Sequence, residues 1–198
     1  GTQYAAPFGV APVGLTGLMW PGAECMLARM AARYNIPYGL STVATEMPET
    51  IGPLAKGMGW FQLYPPRDPD TRKDLLKRAK AAGFTVLMIT VDVPASSRRE
   101  RQARAGVSVP PVINPTMLYR CSVRPAWSLA TLLHGIPRFR GLEPYIGTRN
   151  MSQMADFIGT QFNGTLDWDY VQRVREEWDG PVVLKGVLDA SEAERAVD

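Results

Sequence analysis

The sequence predicts an α/β fold, a partial (β/α)8 TIM barrel with about the first five βα units and a long insertion after strand 4. Short apolar runs alternate with segments whose apolar residues recur at helical spacing, which is the pattern of parallel strands joined by helices. Polar residues close several of these runs, as in barrels whose sites form at the carboxyl ends of the strands. With 45% hydrophobic and 21% charged residues, the 198-residue chain has a globular composition.

The elements are predicted in order along the chain. The apolar runs place strands at Pro7–Pro12, Tyr38–Ser41, Gly59–Tyr64, Thr85–Val93 and Pro181–Lys185. Helical spacing places helices at Glu24–Tyr34, Pro48–Lys56, Asp68–Ala82 and Asp169–Trp178, with another beginning near Ser191. The helix over 68–82 has Asp68 or Asp70 near its cap and Gly83 just past its end. The run over 85–93 is almost wholly apolar, which is typical of a parallel strand covered on both faces.

Five predicted strands are fewer than a closed barrel needs. Barrels of this kind have eight strands and typically about 250 residues. We therefore interpret residues 1–198 as one incomplete barrel domain and expect the remaining units outside this sequence. A doubly wound sheet is the alternative, but no GxGxxG motif follows a predicted strand.

The region between the fourth and fifth predicted strands interrupts this rhythm, and we assign residues 105–165 to an insertion. Six prolines between Arg98 and Thr165 argue against one continuous helix. Apolar residues from Trp127 to Phe139 are interleaved with arginines, which suits the interface of an anionic bilayer. A lid or an oligomer contact is the alternative. For the membrane interpretation, we expect residues Val107–Gly147 to be poorly ordered away from lipid.

Charge and cysteine content narrow the classes of partner. The net charge is +3, but the window from Arg98 to Arg149 holds nine arginines and two glutamates and is therefore +7. Such a stretch suits nucleic acid, anionic lipid or an acidic substrate, and charge alone does not choose among them. Cys25 and Cys121 form no CxxC pair and lie near no histidine cluster, so we expect reduced thiols and no metal site. No leader segment and no spanning helix is apparent, so we expect a protein that is cytoplasmic or lies on a membrane.

Five motifs, in a fixed order, carry a resemblance to a known family. They are APVGLTGLMWPGAE (residues 11–24), LSTVAT (40–45), WFQLY (60–64), TVDVP with RRE (90–100) and VLKGVLDASEA (183–193). Together they resemble the FMN-dependent L-2-hydroxy-acid dehydrogenases and oxidases, and most closely the lactate and mandelate dehydrogenase branch. The resemblance spans nearly the whole chain and implies FMN as the cofactor.

The resemblance implies roles for the residues that bind the flavin. The backbone of Pro12, Val13 and Gly14 would lie beside the flavin ring, where a small residue such as Gly14 permits a close approach. The side chains of Ser41, Gln62 and Thr90 would hydrogen-bond the edge of the ring. Lys185 would lie near N1 and C2=O, where a fixed cation favours reduction.

Substrate and catalytic residues are implied in the same way. The guanidinium of Arg99 would bind the substrate carboxylate through two hydrogen bonds, with the neighbouring Arg98 as the alternative. The hydroxyl of Tyr64 would donate a hydrogen bond to the substrate carboxylate or to the keto oxygen that forms. Asp92 would stabilise the charged form of a catalytic histidine. We expect that histidine beyond Asp198, in a motif close to Ser-Asn-His-Gly-Gly. We interpret His134 as a surface residue, and Tyr4 does not lie in the family's amino-terminal tyrosine motif.

The implied function is oxidation of a lactate-like or mandelate-like L-2-hydroxy acid to the 2-keto acid, with electrons passed to quinone or another acceptor. The alternatives are an oxidase that uses oxygen and an inactive flavin-binding fragment. The resemblance also implies a symmetric homotetramer. We expect no nucleic-acid partner, and we expect peripheral binding at the inner face of the cell membrane.

Overall fold

A computed structural model of the chain describes residues 2–92, 104, 114–147, 150–162 and 166–197. Four strands form one parallel sheet in the order β1-β2-β3-β4, namely Tyr38–Ser41, Gly59–Leu63, Val86–Thr90 and Val182–Lys185. The helices are α1 (Thr16–Met19), α2 (Ala23–Tyr34), α3 (Pro48–Ala55), α4 (Pro69–Ala81), α5 (Pro115–Ser122), α6 (Pro125–His134), α7 (Glu143–Ile146), α8 (Met151–Gln161), α9 (Trp168–Glu177) and α10 (Ala190–Arg195). A 3-10 turn at Arg140–Leu142 precedes α7.

The two faces of the sheet carry different sets of side chains. One face carries apolar side chains that are at most 1% exposed and belong to the hydrophobic core with residues of the helices; they include Leu40, Phe61, Leu63, Leu87 and Ile89. Because side chains alternate along a strand, the intervening residues share the opposite face. We call this opposite face the inner face. It carries Gly39 and Ser41 on β1, Trp60 and Gln62 on β2, Met88 and Thr90 on β3, and Val183 and Lys185 on β4.

The boundaries of α4 follow from the local chemistry that the sequence predicted. Asp68 is its N-cap, and the carboxylate accepts hydrogen bonds from the backbone N–H of Asp70 at 3.4 Å and of Thr71 at 2.9 Å. These bonds satisfy donors that have no partner within the helix. The other predicted helices are also present, with ends that differ by at most one residue.

The first predicted strand is wrong. Of Pro7–Pro12, only Val10 pairs with the sheet, through an isolated parallel bridge to Tyr38. The backbone N–H of Val10 donates to the carbonyl of Pro37, and the Val10 carbonyl accepts from Gly39, both at 2.8 Å. Proline has no N–H to add to a ladder, so a segment with a proline at each end supports little pairing. The described residues therefore form four strands instead of five.

The expectation of poor order in the insertion is not met for residues 114–147. They form α5, α6, the 3-10 turn and α7, and a proline occupies the first or second position of α5, α6 and α7, where its missing N–H costs nothing. Phe139 and Leu142 are 5% and 0% exposed and belong to the main core, which corrects the prediction that Phe139 is part of an exposed cluster. Residues 107–113 lie outside the described part of the chain.

Candidate active site

Three predicted polar residues form a continuous hydrogen-bonded row at the carboxyl ends of β1, β2 and β3. The hydroxyl of Ser41 donates to Oε1 of Gln62 at 2.8 Å, and Nε2 of Gln62 donates to Oγ1 of Thr90 at 2.8 Å. All three residues are at most 4% exposed. Parallel strands place their carboxyl ends at one edge, so three residues far apart in sequence meet there. We call Ser41, Gln62 and Thr90 the polar row.

The polar row retains hydrogen-bonding capacity for a ligand. A glutamine amide offers two donor hydrogens and two acceptor lone pairs, and the row itself uses one of each at Gln62. The hydroxyl of Thr90 accepts from Gln62 and keeps its own hydrogen to donate. Gln62 and Thr90 therefore keep two donors and two acceptor lone pairs, which can bond to a ring whose edge alternates donors and acceptors, as the flavin pyrimidine does.

Thr42 supports the row and was missed by the sequence reasoning. Its hydroxyl donates to the backbone carbonyl of Gln62 at 2.6 Å and accepts from the backbone N–H of Tyr64 at 3.1 Å. The side chain thus joins the end of β1 to the end of β2, which fixes the direction in which Tyr64 leaves the strand. The available signal was a second hydroxyl residue directly after Ser41.

Lys185 lies at the same end of the sheet as Thr90, and the two residues are Cα partners in the β3–β4 ladder. This is the convergence that the sequence predicted. The Lys185 ammonium is 3.5 Å from Oδ2 of Asp92. The Asp92 side chain is 35% exposed and is paired with Lys185. At that exposure the pairing adds little stability, but it holds a cation beside the row.

The segment Pro12–Gly14 runs alongside the end of β1 and packs against the loop that follows Ser41. Gly14 has no room for a side chain, since a Cβ there would lie 2.8 Å from Cγ2 of Val43. Close packing on Val43 is therefore a reason for glycine in addition to the predicted approach to a flavin. Val13 is 55% exposed. The backbone of the segment is thus positioned beside the polar row and has exposed atoms.

Of the two predicted substrate-binding residues, the structure describes Tyr64 but not Arg99. Tyr64 follows β2 directly, two residues after Gln62, and is half-buried. Arg99, predicted to bind the substrate carboxylate, and its alternative Arg98 lie outside the described residues.

An apolar cavity of about 440 Å³ lies on the inner face below Lys185. Its walls include Tyr4, Pro12, Gly39, Trp60 and Met88. The hydroxyl of Tyr4 accepts a hydrogen bond from Nε1 of Trp60 at 2.9 Å. Barrels of this class fill their interior with side chains and bind ligands at the carboxyl end of the strands. We therefore assign this cavity to the barrel interior and the polar residues above it to the site.

The remaining candidate groups lie outside this site or are unreactive. His134 ends α6, is exposed, and bonds through Nδ1 to the carbonyl of Ala130 at 3.0 Å, in agreement with its prediction as a surface residue. Cys25 and Cys121 are free thiols, and burial, followed by the nearby Glu46, raises the pKa of Cys25. Within the described part of the chain, no group of three or more metal-ligating side chains occurs, and no helix is long and apolar enough to cross a bilayer.

A parallel sheet with helices on one face, and polar side chains gathered at its carboxyl edge, defines an α/β enzyme of the cofactor-binding type. The model of the FMN-dependent dehydrogenase family matches residues 1–198. The chain belongs to this family, whose cofactor is FMN.

Individual relatives agree with this assignment. The chain is 38% identical over 202 residues to an L-lactate dehydrogenase of Caulobacter vibrioides, with 100% of the chain and 52% of the relative covered. It is 39% identical over 197 residues to an L-lactate dehydrogenase of Pseudomonas aeruginosa, with 98% and 51% covered. The chain thus spans about half the length of the relatives that it matches.

Solved structures agree on the fold. The chain superimposes on the monotopic membrane protein (S)-mandelate dehydrogenase with a TM-score of 0.91 and 27% identity, covering 98% of this chain and 52% of that one. For a mandelate oxidase the TM-score is 0.70 and the identity 33%, with 98% and 47% covered. The predicted α/β fold, part of a (β/α)8 barrel, is confirmed.

Proposed function

We propose that the full-length protein oxidises an L-2-hydroxy acid, of the lactate or mandelate kind, to the 2-keto acid with FMN. The observation that carries this proposal is the polar row with Lys185 beside it, because its free donors and acceptors can bond to the alternating edge of the flavin. The names of the relatives support the substrate class. FMN, when bound, accepts the hydride equivalent of the substrate.

The residues of this chain have separate roles in stabilising charge and binding the substrate. Lys185 supplies a fixed positive charge where negative charge develops on reduction. Arg99 binds the substrate carboxylate through two parallel hydrogen bonds, and Tyr64 orients the substrate through its hydroxyl. Asp92 stabilises the positive charge of a histidine base. His134 is exposed and paired with its own helix, so we assign the base to a histidine outside this sequence.

The test is direct measurement on the full-length protein. We expect a yellow protein that releases FMN on denaturation and that reduces an artificial electron acceptor when L-lactate or L-mandelate is added. A Lys185→Met variant should retain its fold but turn over much more slowly, because the fixed cation is lost. A colourless, correctly folded wild-type protein would contradict the proposal.

We also propose that the electron acceptor is a quinone and not oxygen. The relatives with the highest identities reported above are lactate dehydrogenases, although the mandelate oxidase structure shares the fold. Peroxide formation during turnover distinguishes the two cases. We expect little peroxide with oxygen alone and fast turnover with a soluble quinone; stoichiometric peroxide would make the protein an oxidase.

We further propose that α5 and α6 bind the surface of an anionic membrane, at the inner face of the cell membrane. They and the residues after them expose a continuous set of apolar side chains, the α5–α6 apolar surface: Leu118, Tyr119, Val123, Leu129, Leu132, Leu133 and Ile136, each 51% to 79% exposed. Exposed apolar patches of this kind mark interaction sites. A monotopic membrane protein of similar fold supports a bilayer as the partner.

The structure narrows which arginines can contribute to membrane binding. Arg138 pairs with Glu143 and Arg140 with Glu46, so their charges are already compensated. Arg124 is exposed next to the α5–α6 apolar surface. It can add about 1 kcal/mol near an anionic surface, a contribution that salt weakens. The homotetramer stays a prediction.

A further inference from the structure

Glu24 is a carboxylate that is 0% exposed, in the first turn of α2. Its Oε1 accepts three hydrogen bonds: from the backbone N–H of Gly17 at 3.2 Å, the backbone N–H of Thr45 at 3.0 Å and the hydroxyl of Thr45 at 2.6 Å. Its Oε2 has no hydrogen-bond partner among the described residues. A charged group buried this deeply is costly unless its hydrogen bonds compensate for lost hydration, so its position calls for a specific role.

The three donors come from two segments that border the polar row. Gly17 lies in the short helix α1, directly after the loop that begins with Pro12, and Thr45 lies in the loop that follows Ser41. The loops also meet directly, because the backbone N–H of Leu15 donates to the carbonyl of Val43 at 2.9 Å. Glu24 therefore joins the backbone of one cofactor-side loop to that of the other from behind.

The geometry of the first loop requires such support. Leu15 has φ 52°, a left-handed conformation that costs a non-glycine residue about 1 kcal/mol or more. Gly17 approaches Thr45 so closely that a Cβ would lie 2.2 Å from Oγ1 of Thr45. A strained, tightly packed loop stays in place only when surrounding contacts fix it.

We propose that Glu24 is a positioning residue for the cofactor: it holds the Pro12–Gly17 segment, which includes the start of α1, against the loop after Ser41, so that the backbone beside the flavin is fixed before FMN binds. This inference rests on the proposed function. Glu24 touches neither cofactor nor substrate and acts through the backbone of Gly17 and Thr45. Preorganised backbone reduces the ordering cost of ligand binding, so loss of the carboxylate weakens FMN binding.

A carboxylate suits this position better than an amide. Three donors converge on one oxygen, and hydrogen bonds to an ionised acceptor are roughly twice as strong as those to a neutral one. A glutamine would keep the acceptor oxygen and lose the charge, while its NH2 would replace Oε2, which has no partner. The two substitutions Glu24→Gln and Glu24→Ala therefore separate the effect of charge from that of the hydrogen bonds.

The experiment compares these variants in the full-length protein by titrating the FMN-free form with FMN and recording flavin fluorescence. We expect Glu24→Ala to raise the Kd for FMN at least tenfold and Glu24→Gln to give a smaller increase. The visible absorption band of bound FMN should also shift in Glu24→Ala, while the KM for the hydroxy acid at saturating FMN stays unchanged. Glu177→Ala is the matched control, because it removes a half-buried carboxylate that pairs with Arg72, far from both loops.

Two outcomes would overturn the inference: a Kd for Glu24→Ala within threefold of the wild type, or an equal increase in Glu177→Ala, which would indicate a general loss of stability. If Glu24→Ala does not fold, Thr45→Val and Thr45→Ser replace it. Thr45→Val removes the hydroxyl donor and should raise the Kd at least threefold, whereas Thr45→Ser keeps the donor and should not; equal values contradict the proposal. A wild-type protein that binds no FMN would overturn the proposed function as well, so the two failures are distinguishable.

Discussion

Gln62 occupies the middle of the polar row. The carbonyl oxygen of its side-chain amide bonds to Ser41, and the NH2 group bonds to Thr90. In Gln62→Leu the hydroxyls of Ser41 and Thr90 lose these partners while remaining buried, which costs about 1 to 3 kcal/mol for each unsatisfied group. We expect a lower free energy of unfolding and a Kd for FMN at least tenfold higher. Urea denaturation and FMN titration of the full-length protein measure the two effects.

The control for this prediction is Leu63→Ala, on the opposite face of the same strand. Leu63 is 0% exposed and belongs to the hydrophobic core, so its truncation lowers stability without removing a polar group. If Gln62→Leu and Leu63→Ala weaken FMN binding equally, the polar row has no specific part in holding the cofactor.

Arg99 gives a second prediction at the scale of one residue. Lysine keeps the charge of arginine but loses the two parallel hydrogen bonds to a carboxylate. In full-length Arg99→Lys we expect a lower kcat/KM for the hydroxy acid, by a factor that corresponds to a loss of about 2 to 4 kcal/mol of transition-state stabilisation. FMN binding should stay unchanged. Arg98→Lys is the control. If Arg98→Lys shows the loss and Arg99→Lys does not, the carboxylate belongs to Arg98.

At the scale of elements, Arg78 joins α4 to α3 and to the end of the insertion. Its guanidinium pairs with Glu49 on α3 and donates to the carbonyl of Gly141 at 2.9 Å and the hydroxyl of Tyr145 at 3.0 Å. Burial raises the pKa of Tyr145 to about 12, and its hydrogen bond to Asp74 adds to the effect, so Tyr145 stays neutral. These contacts hold the residues around Gly141 and Tyr145 against α3 and α4.

The ion pair gives a pH-dependent prediction. The hydrogen bond from Arg78 lowers the pKa of Glu49 below its ordinary value of 4.5. A lowered pKa in the folded state stabilises the protein above the ordinary pKa, and this stabilisation is lost as pH falls through the lowered value. We expect Glu49→Gln to be less stable than wild type at pH 7 by at most about 1 kcal/mol, since Glu49 is partly exposed. The difference should be smaller at pH 3; thermal melts at both pH values measure it.

The exposed Glu194 on α10 provides the control for that measurement, as Glu194→Gln. It should show a smaller difference at pH 7. A loss in Glu49→Gln that is the same at pH 7 and pH 3 would mean that the ion pair does not cause it.

The α5–α6 apolar surface carries the prediction about membranes. Leu132 and Leu133 are 79% and 75% exposed, and burial of apolar area yields about 25 cal/mol per Å². We expect full-length protein to sediment with vesicles that contain anionic lipid, less so at high salt, and Leu132→Ser with Leu133→Ser to reduce this binding several-fold. The control is Met26→Ser with Met30→Ser, which removes two exposed apolar residues from α2. Unchanged sedimentation of the α6 variant would favour a lid or an oligomer contact.

At the scale of the whole molecule, cofactor binding and folding are linked. A ligand that binds only the folded state adds about 2.7 kcal/mol of stability at one hundred times its Kd. We expect the FMN-free full-length protein to melt at a lower temperature than the FMN-bound form, and added FMN to restore the difference in proportion to the logarithm of its concentration. Adenosine monophosphate, which has a phosphate but no flavin ring, should leave the melting temperature unchanged. Equal shifts with both compounds would indicate binding of phosphate alone.

The sequence by itself determined the local elements and the composition of the site. Asp68 and its neighbours set the start of α4, because capping depends on residues two and three positions away. The apolar runs set β1 to β4, because a short apolar run closed by a polar residue is a local property of the sequence. Ser41, Gln62, Thr90 and Lys185 were found from motifs at strand ends, and a parallel sheet necessarily brings such ends to one edge.

The tertiary structure alone decided which groups are buried and paired. The Asp92–Lys185 pair joins residues 93 positions apart, and Glu24 meets Thr45 from 21 positions away. Phe139 and Leu142 carry the same apolar signal as Leu132 and Leu133, yet the first two lie in the core and the last two are exposed. The apolar pattern of a sequence indicates which residues favour burial. Whether a residue is buried depends on which distant element packs against it, and that packing is fixed only when the whole chain has folded.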